Sequence, residues 1–313
     1  MPIEVAGLNK RFGNIQAVAD LDFTVSPGRI TGFLGPNGAG KTTTLRILLG
    51  LVKATSGTAT IGGRRYQELE RPLRRVGAVL EATSFHPARR ARDHLRMCAI
   101  AAAIETARVD EVLELVGLGD SGQRRVGAYS LGMRQRLGLA TALLGDPPVL
   151  ILDEPANGLD PQGIAWLREF LRYLASQGHT VLISSHLLAE MAQTVDDVVI
   201  IAGGRARASG PLSGLIGQVH LAMRIRTPEA DRLQGVMAAA HWKVRRLAHD
   251  LVLVEGVPAD QLGPVLARGQ IVIYEMVNQS TDLESVFLSL TGPDIPVPTS
   301  APSAPGAPRV AGP

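Results

Sequence analysis

Short apolar, β-branched runs alternate with longer helix-like stretches from the N-terminus to about Gly210, a rhythm that predicts an α/β domain with a largely parallel sheet. The clearest strands fall at 30–34, 149–152, 181–184 and 198–202. Each is apolar at nearly every position, as a strand buried on both faces must be, and the first three run straight into polar or Gly-rich turns. Ligands of such a sheet bind at the carboxyl ends of its strands. Between 81 and 142 the strand pattern stops and helical periodicity takes over, at 93–103, 109–116 and 131–144. This predicts a helical insert over about 82–142 within an α/β body spanning 1–212. From about 220 the apolar runs 222–225, 251–254 and 271–276 are separated by the helix-like 228–240 and 258–267, which predicts a small α+β module over 213–290. Residues 291–313 hold seven of the 20 prolines and almost no bulky apolar side chains, the composition of a disordered tail.

Composition narrows this picture only a little. The chain of 313 residues is 45% hydrophobic and 19% charged, enough to bury a core and unlike a disordered polymer or a disulfide scaffold. Its formal net charge of +3 does not imply nucleic acid, and at 4% the aromatics are too few to serve as base-stacking platforms. Cys98 is the only cysteine, so no disulfide framework exists, and its apolar surroundings predict a structural thiol in a reducing compartment. The start lacks a basic leader with an apolar core, and no uncharged apolar run approaches the roughly 18 residues of a membrane span. The expectation is a soluble, cytoplasmic chain that reaches a membrane only through a partner.

The first chemical motif is Gly35-Pro36-Asn37-Gly38-Ala39-Gly40-Lys41-Thr42, which follows a predicted strand and opens the helix-like 42–49. Glycines let the backbone wrap so that successive N–H groups point at phosphate oxygens, and the helix N-terminus adds favourable potential for the anion. Lys41 supplies a cation between β- and γ-phosphates, and the Thr42 hydroxyl is the expected Mg²⁺ ligand. A Gly-rich turn with a chance lysine is the bland alternative, and the flanking strand and helix argue against it.

The second motif ends the run 149–152 with Asp153, Glu154 and Pro155. Two adjacent acids at the end of a central strand are costly without cationic partners. A Mg²⁺ held by Thr42 supplies one, which makes Asp153 the metal-side carboxylate and leaves Glu154 to polarise an attacking water. Asp160 precedes Pro161 in a turn-rich stretch and is placed to cap the helix that follows. His186 follows the strand 181–184, at a carboxyl end from which it can reach a γ-phosphate. Ser130 heads the helix 131–144 as an N-cap, and the N–H groups behind it form an anion site.

Taken in order, these residues resemble the ATP-binding subunit of an ATP-binding cassette (ABC) transporter, over about residues 2–210. The stretch from Tyr129 to Met133 is similar to the signature usually written LSGGQ, with Ser130 and Gly132 kept while Tyr129 and Met133 depart from it. Together with Val79-Leu80-Glu81-Ala82 it is similar to the branch of bacitracin-type and lantibiotic-immunity exporters. The resemblance implies a P-loop NTPase fold, ATP and Mg²⁺ as ligands, and ATP hydrolysis coupled to transport. It implies that Phe12 stacks on adenine, that Gly35–Thr43 cradles the triphosphate, and that Ser130, Gly132 and Met133 contact the ATP of a second, head-to-tail copy. Asp160 is then near the shared interface and His186 on the γ-phosphate. Glu81 stands where the family has a glutamine that touches Mg²⁺ and the water; a carboxylate still coordinates the ion but adds negative charge beside Asp153 and Glu154.

The leading reading is therefore an energy-coupling ATPase that forms an ATP-dependent homodimer on a separate transmembrane permease at the inner face of the membrane, and exports a drug, antibiotic or peptide. Arg89, Arg90, Arg92 and Arg96 form a basic run for permease docking or simply a solvated face. A soluble ABC-type ATPase acting on the ribosome or DNA is the alternative, but neither two cassettes in one chain nor a long coiled coil is present. A binding module without catalysis is a third, opposed by the intact Lys41, Asp153, Glu154 and His186.

Overall fold

A computed structural model describes residues 1–80, 85–186, 191–218, 222–257, 259–279 and 287. Glu81, expected at the metal, and the tail 291–313 lie outside the described residues.

At the centre is a six-stranded sheet in the order β5-β6-β7-β3-β8-β9, built from β3 (Ile30–Leu34), β5 (Val76–Val79), β6 (Val149–Asp153), β7 (Thr180–Ser185), β8 (Asp197–Ala202) and β9 (Arg205–Pro211). All pairings are parallel except β8 with β9. The strands are buried on both faces, which is why they read as continuous apolar runs. Alternate residues serve two cores. Leu150, Leu152, Val181 and Ile183 pack with the helices α2 (Ala91–Ala101), α3 (Arg108–Leu115), α4 (Leu131–Leu143) and α5 (Pro161–Ser176). Val149, Ile151 and Leu182 pack with α1 (Lys41–Leu48) and a second sheet. Each such buried aliphatic side chain contributes about 2 kcal/mol of transfer free energy.

That second sheet corrects the reading of the N-terminal region as part of the parallel rhythm. β1 (Ile3–Phe12), β2 (Ile15–Val25) and β4 (Ser56–Ile61) form an antiparallel sheet in the order β2-β1-β4. Register shifts between Val5 and Leu8, and again near Lys10, interrupt the alternation of β1, whereas β2 alternates cleanly through Leu21, Phe23 and Val25. Helices α2, α3 and α4 fall between β5 and β6, with α2 beginning at Ala91 rather than 93. Arg90 at its N-cap makes no side-chain cap bond, and Ala103, at φ 52° after the helix end, is not a glycine, so neither end carries a sequence signal.

The C-terminal module has its own core around Met223, Ile225, Leu233, Val252, Val254 and Leu262. Its strands β10 (Ala222–Arg226), β11 (Lys243–Ala248), β12 (Leu251–Glu255) and β13 (Glu275–Gln279) form an antiparallel sheet in the order β11-β12-β10-β13. It is joined to the main body by α6 (Leu212–Gln218), and α7 (Ala230–Ala239) and α8 (Ala259–Arg268) connect its strands. The apolar run 271–276 is not one strand. Ile271 closes α8 through its N–H to the Leu266 carbonyl, and Val272 is tied by Thr227 and Glu229 side chains, so the ladder starts only at Glu275. Phe287 is buried in the core that the helices share with the main sheet.

Candidate functional site: a phosphate-loop cleft

Strand order positions the chemistry. β7 lies between β3 and β6, so the carboxyl ends that lead to Lys41, His186 and Glu154 are neighbours. The loop after β3 owes its path to glycine at two positions. A Cβ on Gly35 would meet the Ile201 carbonyl at 2.5 Å, and one on Gly40 would meet the Ala17 carbonyl at 2.4 Å, with Gly40 at φ 103°. Gly40 is also the N-cap of α1 and makes no side-chain cap bond, which leaves first-turn amides for a ligand.

Lys41 is 6% exposed; its Nζ donates to the Gly35 carbonyl at 2.7 Å and lies 3.6 Å from Glu154 Oε1. Thr42 Oγ1 donates to Asp153 Oδ2 at 2.8 Å. Ser184, opposite Asp153 in the β6–β7 register, donates its hydroxyl to Asp153 Oδ1 and accepts the Glu154 N–H at 3.0 Å. Glu154 itself sits at φ 49°, a left-handed conformation uncommon for a residue with a side chain, and the two bonds from its N–H to Ser184 hold it there. His186 Nδ1 pairs with Glu154 Oε2 at 2.8 Å. The resulting cleft has a volume of about 340 Å³ and is lined by Ala17, Pro36, Asn37, Gly38, Ala39, Gly40, Lys41, Thr42, Thr43, Glu154, Asn157 and His186.

Lys41, Thr42, Asp153, Glu154 and His186 thus come together in one chain. Ser130, Gly132, Met133 and Asp160 do not join them; they line a separate cleft of about 400 Å³ between α4 and α5. Ser130 caps α4 by accepting the Met133 N–H at 3.2 Å, and Asp160 caps α5 by accepting the Gly163 N–H at 2.8 Å. Phe12 ends β1 at 49% exposure with Lys10 Nζ 4.6 Å from its ring centroid, outside the lining of the phosphate-loop cleft. In the basic run, Arg92 pairs with Asp110 at 3.0 Å and Arg90 donates to Gln123, so both guanidiniums tie the insert together. Burial pushes the Cys98 thiol above its usual range, with Arg89 acting the other way, in keeping with a structural role.

Sequence reasoning missed three residues. Ser184 ends the strand run 181–184, and its bond to Asp153 depends on strand register. Asn157 lines the cleft through the fold of the loop after β6, its N–H donating to the Glu154 carbonyl at 3.1 Å. Leu131, where the signature has its first glycine, could have been found from the motif alone.

A glycine loop between a buried parallel strand and a helix, with a lysine inside it and paired carboxylates at the end of a nearby strand, defines a P-loop nucleoside-triphosphate-binding ATPase. The family model described as ABC transporter matches residues 18–157, and one described as a domain of unknown function matches residues 222–284. The chain is 45% identical over 216 residues to the bacitracin transport ATP-binding protein BcrA of Bacillus licheniformis, covering 68% of this chain and 71% of that one. To the ABC transporter ATP-binding protein YdbJ of Bacillus subtilis (strain 168) it is 43% identical, over 92% of this chain and 95% of that one. A solved ATP-binding subunit of an ABC transporter superposes with a TM-score of 0.63 at 30% identity, covering 70% of this chain and 93% of that one. The chain belongs to the ATP-binding subunits of ABC transporters, ATPases that power transport and work with separate membrane subunits. Among the described residues no helix is long and apolar enough to cross a membrane.

Proposed function

We propose that two copies of this chain close head to tail on ATP and drive a separate permease, at the inner face of the membrane, that exports a peptide antibiotic or drug. The observation that carries the dimer is the separation of two phosphate-type helix ends within one chain. The α1 end lies with Lys41, Glu154 and His186, while the Ser130 end lines a different cleft. A second copy supplies the missing half of each site. Similarity to a bacitracin transport protein supports the substrate class.

In this mechanism the backbone of Gly35–Thr43 holds the triphosphate, Lys41 bridges its β- and γ-oxygens, and Phe12 stacks on the base. Thr42 Oγ1 and Asp153 Oδ2, 2.8 Å apart, are hard oxygen donors suited to Mg²⁺, which is bound by one or two protein oxygens plus phosphate rather than by a protein cage. When bound, the ion neutralises charge on the phosphate oxygens. Glu81 would be a further oxygen donor to the ion. Glu154 polarises the attacking water, and His186, paired with Glu154, orients that carboxylate and reaches the γ-phosphate. The water oxygen attacks the γ-phosphorus and passes a proton by way of Glu154 to the phosphate, the bond to the bridging oxygen breaks, and ADP and inorganic phosphate leave. Ser130, Gly132 and Met133 of the second copy present amides to the same γ-phosphate, so ATP stabilises the closed dimer and hydrolysis releases it.

The permease contact falls on a cleft of about 680 Å³ lined by Arg46, Leu49, Leu51, Val52, Tyr66, Ala78 and Leu80, where Leu51 is 65% exposed. An exposed apolar side chain in such a cleft suits an amphipathic partner helix. The deciding experiment is light scattering on Glu154→Gln, which keeps the site's shape and removes the group that polarises water. A dimer in ATP and a monomer without it is the expected result, and a monomer at saturating ATP overturns the head-to-tail site.

A further inference from the structure

Several contacts join the Ser130 helix to the loop that carries Glu154. Gly158 sits at φ 73°, and a Cβ there would come within 2.3 Å of Leu131 Cδ2, so the leucine side chain rests against bare backbone of that loop. Across the same contact, Leu159 Cδ2 lies 3.6 Å from where a Gly132 Cβ would be. One turn into α4, Gln135 is 7% exposed and donates Nε2 to the Asn157 carbonyl at 3.5 Å. The next residue, Arg136, sets its guanidinium carbon 4.1 Å from the centroid of the Trp166 ring on α5. Trp166 in turn stacks on Phe170, with centroids 5.0 Å apart and planes 12° from parallel. Arg136 Nη1 also donates to the Val116 carbonyl at 3.4 Å, which brings the end of α3 into the same assembly.

Arg136 is costly to keep where it is. Burial lowers its pKa, with Asp160 acting the other way, so the cation needs a compensating surface. An indole face is the best such surface among aromatic side chains, and the attraction strengthens as water is removed. The far end of this assembly reaches chemistry, because the Asn157 N–H donates to the Glu154 carbonyl.

We infer that Trp166 is a positioning residue: its ring beneath Arg136 keeps the Ser130 helix and the Glu154 loop in one register, so the helix end offered to a second copy's ATP moves together with the carboxylate of this copy's own site. The inference rests on the head-to-tail reading above. It assigns Trp166 an effect on hydrolysis without contact to nucleotide, and it gives Leu131 a seat on Gly158 where the signature otherwise has glycine.

The test removes the ring's face and then restores part of it. Trp166→Leu stays apolar but loses the π-face along with part of the volume, whereas Trp166→Phe keeps a smaller π-face. For Trp166→Leu, kcat is expected to fall about tenfold with KM for ATP within about twofold, and Trp166→Phe is expected to recover most of the loss. An unchanged kcat in the leucine variant, or a phenylalanine variant as slow as the leucine one, overturns the inference. Should the leucine variant not fold, Arg136→Gln removes the cation and leaves the ring; the same kcat loss supports the coupling and an unchanged kcat overturns it. Light scattering on Glu154→Gln keeps the two ideas apart: a monomer in ATP sinks the head-to-tail reading, while a dimer beside an unaffected Trp166→Leu sinks only the role of Trp166.

Discussion

Helix α1 has Gly40 at its N-cap, at φ 103° and without a side-chain cap bond, whereas helix α4 has Ser130, whose hydroxyl takes the Met133 N–H. Both ends carry the positive potential of a helix N-terminus, but they are equipped differently. The α1 end shares one cleft with its own cation, a carboxylate and a histidine. The α4 end satisfies one of its amides internally and has an exposed leucine, at 38%, beside it. An end with its amides open and charges gathered around it suits a ligand bound by the single chain. The other end, partly capped by its own serine, suits one brought by a second molecule.

The largest effect that tests this contrast is in the chemistry of the α1 cleft. Glu154→Gln is expected to lower kcat by about 10²- to 10⁴-fold while ATP affinity measured by fluorescent-nucleotide titration stays within about twofold. Loss of affinity in step with kcat would show that Glu154 holds the ligand instead. Next comes Lys41→Ala, which removes a charge-assisted contact and is expected to weaken ATP binding roughly 30- to 100-fold in the same titration; unchanged binding contradicts its role. Ser130→Ala acts on the other end. It should leave ATP binding by the monomeric chain unchanged, lower kcat, and cost about 1 kcal/mol through the lost cap, a Tm drop of about 2–4 °C by calorimetry. If ATP binding by the monomer falls as well, the two ends are not separate. The smallest effect is Asp160→Asn, which retains an oxygen acceptor for the Gly163 N–H, so Tm is expected to stay within about 1 °C. A larger drop would mean that the charge itself, through Arg136, stabilises the junction.

Legibility followed the range of the forces involved. The glycine loop, the acidic end of β6 and the caps at Ser130 and Asp160 are set by neighbours in the chain, and each could be read from a few consecutive residues. The antiparallel sheet of β1, β2 and β4 could not, because register shifts interrupt the alternation of β1 and β4 joins β1 across more than forty intervening residues. In the C-terminal module, the run 271–276 looked like a strand because it is apolar, yet Ile271 spends its backbone N–H closing a helix and side chains from 227 and 229 tie down Val272. Apolar character reports burial, and ladder membership depends on where the backbone groups find partners.

By itself, then, the order of amino acids decided which local geometries and which reactive groups exist: a wrapped backbone ahead of Lys41, two carboxylates after an apolar strand, two polar caps. Covalent spacing and the steric freedom of glycine suffice for that. Tertiary structure decided who meets whom. Insertion of β7 between β3 and β6 sets His186 against Glu154 and Ser184 against Asp153, and the packing of α4 on α5 sets Arg136 over Trp166 while keeping Ser130 out of the Lys41 cleft. Those meetings arise from hydrogen-bond register and side-chain packing between segments far apart in the chain, information that no local window holds.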